Sequence, residues 1–330
     1  MSIGLQYTGS FKRGFRVESE NPLEEVWSQI AMHSASEFIS PLRPTNKPEV
    51  WKELVLYATV RIRQGVELRD AAQAVTSLTS PLLWYYSFLN LTRGFMAIGP
   101  EVRSTNGHGL HFKSGPDILR CSADLLKAGT FVEFLASQGC NQAKMTMSLQ
   151  DALSRVIEIQ QDYVRVFDSP SQVMPLAVEA EIGGEVHLRM PSSYYTILHP
   201  TTWQQQCPSL SDCCQLYSKK ETFRLIGQTS QNESDISDFL YKHLEDDLSN
   251  RNRWYVIRTV EPEFVLPRAA YYFIAMFILG SAVRYEPQLV QHAMHPDAKT
   301  SWLLNRFIVA ARRYYPHLML NMVSQQRLYF

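Results

Sequence analysis

The run Ser80-Pro-Leu-Leu-Trp-Tyr-Tyr-Ser-Phe-Leu-Asn-Leu-Thr-Arg-Gly-Phe-Met-Ala-Ile98 constrains the fold of this chain more than any other stretch. Ser80 with Pro81 reads as a helix start, because proline lacks the N–H that a first turn leaves unpaired. Within the apolar run, Tyr86, Asn90 and Arg93 fall at i, i+4 and i+7, so they share one helical face. A hydroxyl, an amide and a guanidinium on an oily helix need partners if buried, since each orphaned polar group costs roughly 1–3 kcal/mol. The cluster Asn106-Gly-His-Gly-Leu-His111 that follows is the nearest bend that can supply them.

On either side of this run the period is helical. Trp27, Ile30, Ala31, Ala35 and Phe38 recur at helix spacing after Asn21-Pro22, with Glu24 and Glu25 suited to a helix N-terminus. Glu49 to Gly65 and then Val66 to Leu78 read as two further amphipathic pieces. Alternation marks Gly109 to Phe112 and Gly129 to Leu135. Tyr163 to Phe167, Val173 to Val178, Gly184 to Met190, Tyr194 to Leu198, Phe223 to Ile226 and Trp254 to Val260 read as strands of an antiparallel meander. Ala269 to Val283 is apolar on all sides, as a buried helix would be, and a last helix from Trp302 is expected to stop at Pro316. The expected class is α+β: an N-terminal helical bundle, a central antiparallel β-rich region, and C-terminal helices packing back on the bundle.

Charge narrows the function classes only a little. Lys plus Arg and Asp plus Glu are 32 each, so no whole-molecule field draws nucleic acid or acidic membrane. The start of the sequence lacks a basic segment leading into an apolar core, and no uncharged run reaches the ~20 residues of a bilayer span, so a cytoplasmic location without membrane contact is expected. Five cysteines without a CxxC pair fit reduced thiols. His108 with His111 is spaced like metal ligands but lacks a supporting acidic or cysteine pair, and His292 with His295, near Asp297, falls in a polar segment that reads as a solvent-facing loop, so neither a metal nor another cofactor is expected. No GxSxG, P-loop, GxGxxG or HExxH is present.

Four blocks, Ser80 to Arg93, His108-Gly-Leu110, Ala128-Gly-Thr-Phe131 and Gly280-Ser-Ala-Val-Arg-Tyr-Glu-Pro287, resemble the signature blocks of the YaaC-like bacterial proteins, from about residue 25 to the end. The chain is more distantly similar to the HEPN helical fold, many members of which cleave RNA in stress or phage defence. The periods divide the chain into a helical region over 1–150, HEPN-like by that second resemblance, a β-rich region over 151–262, and C-terminal helices over 263–330 that complete the helical core. The same resemblance also implies a catalytic pattern of Arg, four to six residues, then His, matched by Arg312-Arg-Tyr-Tyr-Pro-His317. Arg313 and Pro316 depart from the usual pattern there.

Metal-independent RNA cleavage needs a proton acceptor, a proton donor and a cation for the phosphorane, roles that histidine and arginine fill. Arg93 with His108 or His111 forms one candidate set, and Arg312 with His317 the other. Tyr86, Asn90, Arg284 and Tyr285 are candidates for ligand binding or for a buried polar network. The same row can equally serve only to pin the Gly/His bend to the bundle. An arginine at the end of an apolar helix, Arg284, is expected to find a carboxylate such as Glu261 or Glu263. Three functions stay open: RNA-directed binding or cleavage in stress or phage defence, a non-catalytic interaction subunit of a larger assembly, or small-molecule binding in the cleft expected between the bundle and the sheet. The corresponding partners are RNA or another protein chain.

Overall fold

The computed structural model describes residues 6–7, 13–38, 48–99, 107–181, 185–198, 201–217, 222–229, 233–249, 253–259 and 265–330. They form two compact units, one of residues 1–18, 168–265 and 327–330 and one of residues 19–167 and 266–326. Helices at both ends of the chain and antiparallel strands in its middle make this an α+β protein.

The 19–167/266–326 unit is built on five helices, Pro22–Met32, Pro48–Gln73, Ser80–Ile98, Arg268–Tyr285 and Lys299–Ser324. The Ser80–Ile98 helix lies at the centre because it is buried on nearly every side, from Ser80 through Ile98. Pro48–Gln73 packs along it so closely that a Cβ on Gly94 would stand 2.8 Å from Ile62 Cγ1 and 3.2 Å from the Ala58 carbonyl oxygen. The Gly65 carbonyl oxygen accepts from Ser87 Oγ at 2.7 Å. Gly65 therefore serves a helix contact and does not break the helix, which is why the two expected pieces are one element. Arg268–Tyr285, apolar all round, covers another side of the central helix: Tyr85 meets Phe277 and Phe273 edge-on at 5.3 and 5.8 Å. Lys299–Ser324 adds Tyr315, which stacks on Phe88 at 4.1 Å and bonds Thr92 Oγ1 at 2.5 Å. A three-stranded antiparallel sheet, Leu110–Lys113, Ser122–Leu125 and Thr146–Ser148, completes the unit, with His111 opposite Asp124.

Local readings that fail do so for identifiable reasons. The last helix does not stop at Pro316 but runs on to Ser324. Proline leaves the carbonyl four residues back without its helical donor, and here the Arg312 carbonyl accepts instead from Trp27 Nε1 at 2.9 Å. Gly129 to Leu135 is a helix, Thr130–Ser137, started by Gly129 at φ 129°. Gln160–Phe167 is a helix as well, with Tyr163 and Phe167 packed ring on ring at 4.5 Å across i and i+4. Tyr194 belongs to a single helical turn, Ser192–Tyr195, behind Pro191.

The other unit holds a seven-stranded sheet in the order Glu245–Asp246, Trp254–Ile257, Val173–Glu181, Glu185–Arg189, Thr222–Thr229, Cys214–Tyr217, with Gln6–Tyr7 also paired to Val173–Glu181. All these pairings are antiparallel. One face buries Leu188, Phe223, Trp254 and Leu240 of the Glu233–His243 helix. The chain ends are tied in by Leu328–Tyr329 pairing parallel with Phe15–Arg16, and by the Tyr329 hydroxyl donating to Asp246 Oδ2 at 2.8 Å.

Candidate functional site

The site begins at the Gly107-His108-Gly109 bend. Gly109 has φ 85° and Gly129 φ 129°, and a Cβ on Gly129 would stand 2.4 Å from the Gly109 nitrogen, so two backbones meet where only glycine fits. The bend is then bonded down. The Gly107 carbonyl oxygen accepts from Thr130 Oγ1 at 2.8 Å, from Thr130 N at 3.3 Å and from Arg93 Nη2 at 2.9 Å. Arg93 Nε donates to Thr130 Oγ1 at 3.0 Å, and Phe131 N to the His108 carbonyl oxygen at 3.0 Å.

With its backbone fixed, His108 meets Tyr85, whose hydroxyl oxygen is 2.5 Å from His108 Nδ1. Tyr85 is 3% exposed, and burial, with the neighbouring Tyr86 adding to it, holds its phenol far above the ordinary range. It therefore keeps its proton. With the phenol as donor to Nδ1, the neutral imidazole has its own proton on Nε2, facing away from Tyr85. The His108 pKa is held below the usual histidine value, first by burial and then by the charges of Arg93 and Arg284. At neutral pH His108 is thus an uncharged N–H donor.

Beside it opens a cleft of about 380 Å³. Tyr85 and Phe277 line its buried part, and Tyr86, Phe112 and Tyr285 add three more rings. Phe112 and Tyr285 stack at 6.3 Å with 24° between their planes, and the Arg284 guanidinium lies over the Tyr285 ring at 5.1 Å. His108, His111 and Arg284 supply the nitrogen donors. Among the described residues the lining holds no carboxylate. Its chemistry suits a planar ligand that carries acceptor oxygens or negative charge.

The predicted residues divide. Tyr86, His108, His111, Arg284 and Tyr285 share this cleft. Arg93 stands behind it, bonded to the bend. Asn90 is separate: its Nδ2 donates to the Tyr86 carbonyl at 2.8 Å and its Oδ1 accepts from Arg61 Nη1 at 3.1 Å. Arg284 is exposed at the end of its helix, so it needs no internal carboxylate; Glu261 and Glu263 lie outside the described residues, as does Asn106. Arg312 and His317 are not in the cleft, and His317 is 0% exposed in the helix that carries Pro316. Among the described residues no group of three His, Cys, Asp or Glu side chains is placed to hold a metal ion, and no helix is long and apolar enough to cross a membrane.

Sequence reasoning missed Tyr85, Phe112 and Phe277. The adjacent Tyr85-Tyr86 pair was visible, but two consecutive helical residues point about 100° apart, and only the position of the Arg268–Tyr285 helix decides which ring reaches His108.

A family model described as YaaC-like Protein matches residues 22–323. No curated protein and no solved structure matches the chain.

Proposed function

The chain belongs to the YaaC-like protein family, and from the geometry of its cleft we propose that it is an RNA-directed protein that binds the strand and does not cut it. A base enters among the rings and a phosphate sits on Arg284 and His108. The observation that carries this reading is the lining itself: five aromatic rings and a guanidinium, with no carboxylate among the described residues. Base stacking on an aromatic side chain contributes about 1–3 kcal/mol, and arginine pairs with two phosphate oxygens at once. The setting that goes with it, from the HEPN-like resemblance, is a cytosolic role in stress or phage defence.

Binding is favoured over cleavage by how the would-be catalytic groups are occupied. A general base needs an unprotonated nitrogen open to the substrate, whereas His108 Nδ1 is engaged by the Tyr85 hydroxyl at 2.5 Å. Arg93, the cation nearest it in the candidate set, spends Nε and Nη2 on Thr130 and Gly107. His317 has no exposed surface.

Fluorescence anisotropy with a labelled single-stranded RNA tests this. Saturable binding is expected, weakened roughly tenfold or more by Arg284→Ala, as the loss of a charge-assisted contact of about 1.5–3 kcal/mol requires. The RNA should be intact after incubation. Equal binding by wild type and variant, or a cleavage product that disappears in His108→Ala, would overturn the reading.

A further inference from the structure

The dimensions of the cleft bear on which part of a nucleic acid it takes. Resting on the binding role above, we infer that the cleft holds one nucleoside phosphate monoester, supplied as a free mononucleotide or as the phosphorylated end of an RNA, and not an internal stretch of strand.

Three observations carry this. First, about 380 Å³ lies near the lower end of the roughly 300–1,000 Å³ that a single small molecule occupies. Proteins that hold internal single strands track the backbone over about 4–16 nucleotides, several times what this space admits. Second, the cleft is graded from floor to rim. Tyr85 and Phe277, at 3% and 6% exposure, make an aromatic floor, while Tyr285 at 58% and the exposed Arg284 stand at the rim. A base therefore goes inward and its phosphate stays at the mouth. Third, Arg284 is the one arginine or lysine of the lining among the described residues. An internal nucleotide brings a phosphodiester on each side, and a strand needs a cation for each phosphate along its path. A monoester instead concentrates nearly two charges and three acceptor oxygens at one point. Two of those oxygens match the fork of Arg284, and the third matches the Nε2–H of His108, whose neighbour in the cleft Arg284 is.

Titration calorimetry on the full chain tests the inference with uridine and adenosine 5′- and 3′-monophosphates, the corresponding nucleosides, inorganic phosphate, a 5′-phosphorylated decaribonucleotide, and a circular RNA of the same sequence. At least one monophosphate is expected to bind one to one and to displace the labelled decamer. Loss of the phosphate should weaken binding at least tenfold, and the circular RNA should not compete. Arg284→Ala, an exposed position, should abolish the preference for phosphate, and Arg284→Lys should restore part of it. If the monophosphates alone bind, the source is a free nucleotide and the RNA-directed reading falls while the monoester site stands; if the decamer binds at least as tightly, it is an RNA end. Circular RNA binding as tightly as the decamer, with no competition from monophosphates, would overturn the inference while leaving RNA binding standing. Failure of every probe to bind would overturn both.

Discussion

Arg93→Met tests the structural argument at the bend, because methionine keeps most of the apolar stem and removes only the guanidinium. Two hydrogen bonds go, Nε to Thr130 Oγ1 at 3.0 Å and Nη2 to the Gly107 carbonyl at 2.9 Å. Bonds to charged groups contribute about 1.5–3 kcal/mol each, but Arg93 is only half-buried and solvent screens it, and the Gly107 carbonyl keeps both Thr130 donors. The net cost is therefore placed at about 1–2 kcal/mol, which for a unit of roughly 200 residues lowers Tm by about 3–6 °C. Thr130→Val removes the hydroxyl that lies between the guanidinium and the carbonyl. The double variant should lose clearly less than the sum of the single ones, with a coupling of about 0.5–1.5 kcal/mol. Urea unfolding of the four proteins, followed by tryptophan fluorescence, measures the cycle. Strict additivity, or an Arg93→Met protein as stable as wild type, would refute the claim that Arg93 holds the bend and would return it to the list of groups free to meet a phosphate.

Two further outcomes follow from the same contacts. The His108 pKa is held low in the folded state, so the unfolded chain binds the proton first as pH falls. Stability is then fully present above the ordinary histidine value of 6.5 and is lost as pH drops below it toward the folded pKa. His108→Gln should flatten that part of a Tm-against-pH curve, and Arg93→Met should raise the His108 pKa seen by NMR; an unchanged curve and pKa would contradict the assignment. At the helix that carries Pro316, Trp27→Phe leaves the Arg312 carbonyl without its donor and should cost about 1–3 kcal/mol. Part of that loss should be absent in a Pro316→Ala background, where the new N–H can serve the same carbonyl, and equal losses in both backgrounds would show that the indole bond is incidental.

How much of this was legible in the sequence differs by element. The Ser80–Ile98 and Arg268–Tyr285 helices were, because long apolar runs that open beside a proline leave few alternatives. Gln160–Phe167 was not, since five residues with apolar positions alternating also satisfy a helix once Tyr163 and Phe167 pack together at i and i+4. Pro316 misled for a different reason: its penalty is real, but the compensating donor, Trp27, is 289 positions away in sequence by residue number. At the site, helical spacing identified a polar row but not its targets. Tyr86, Asn90 and Arg93 share a face, yet one lines the cleft, one turns to Arg61 and one reaches Gly107. Arg284 was expected to need a carboxylate because the helix before it is apolar; its position in the last turn lets the guanidinium leave the core and lie over Tyr285.

The central claim is that the cleft between Tyr85, His108 and Tyr285 receives a nucleotide. Photo-crosslinking with 4-thiouridine 5′-monophosphate, followed by peptide mass spectrometry, reads this directly. Adducts are expected on the peptides carrying Tyr85-Tyr86, His108 to Phe112 and Tyr285, suppressed by excess unmodified uridine monophosphate. Adducts that map elsewhere, or that excess nucleotide leaves unchanged, would contradict it.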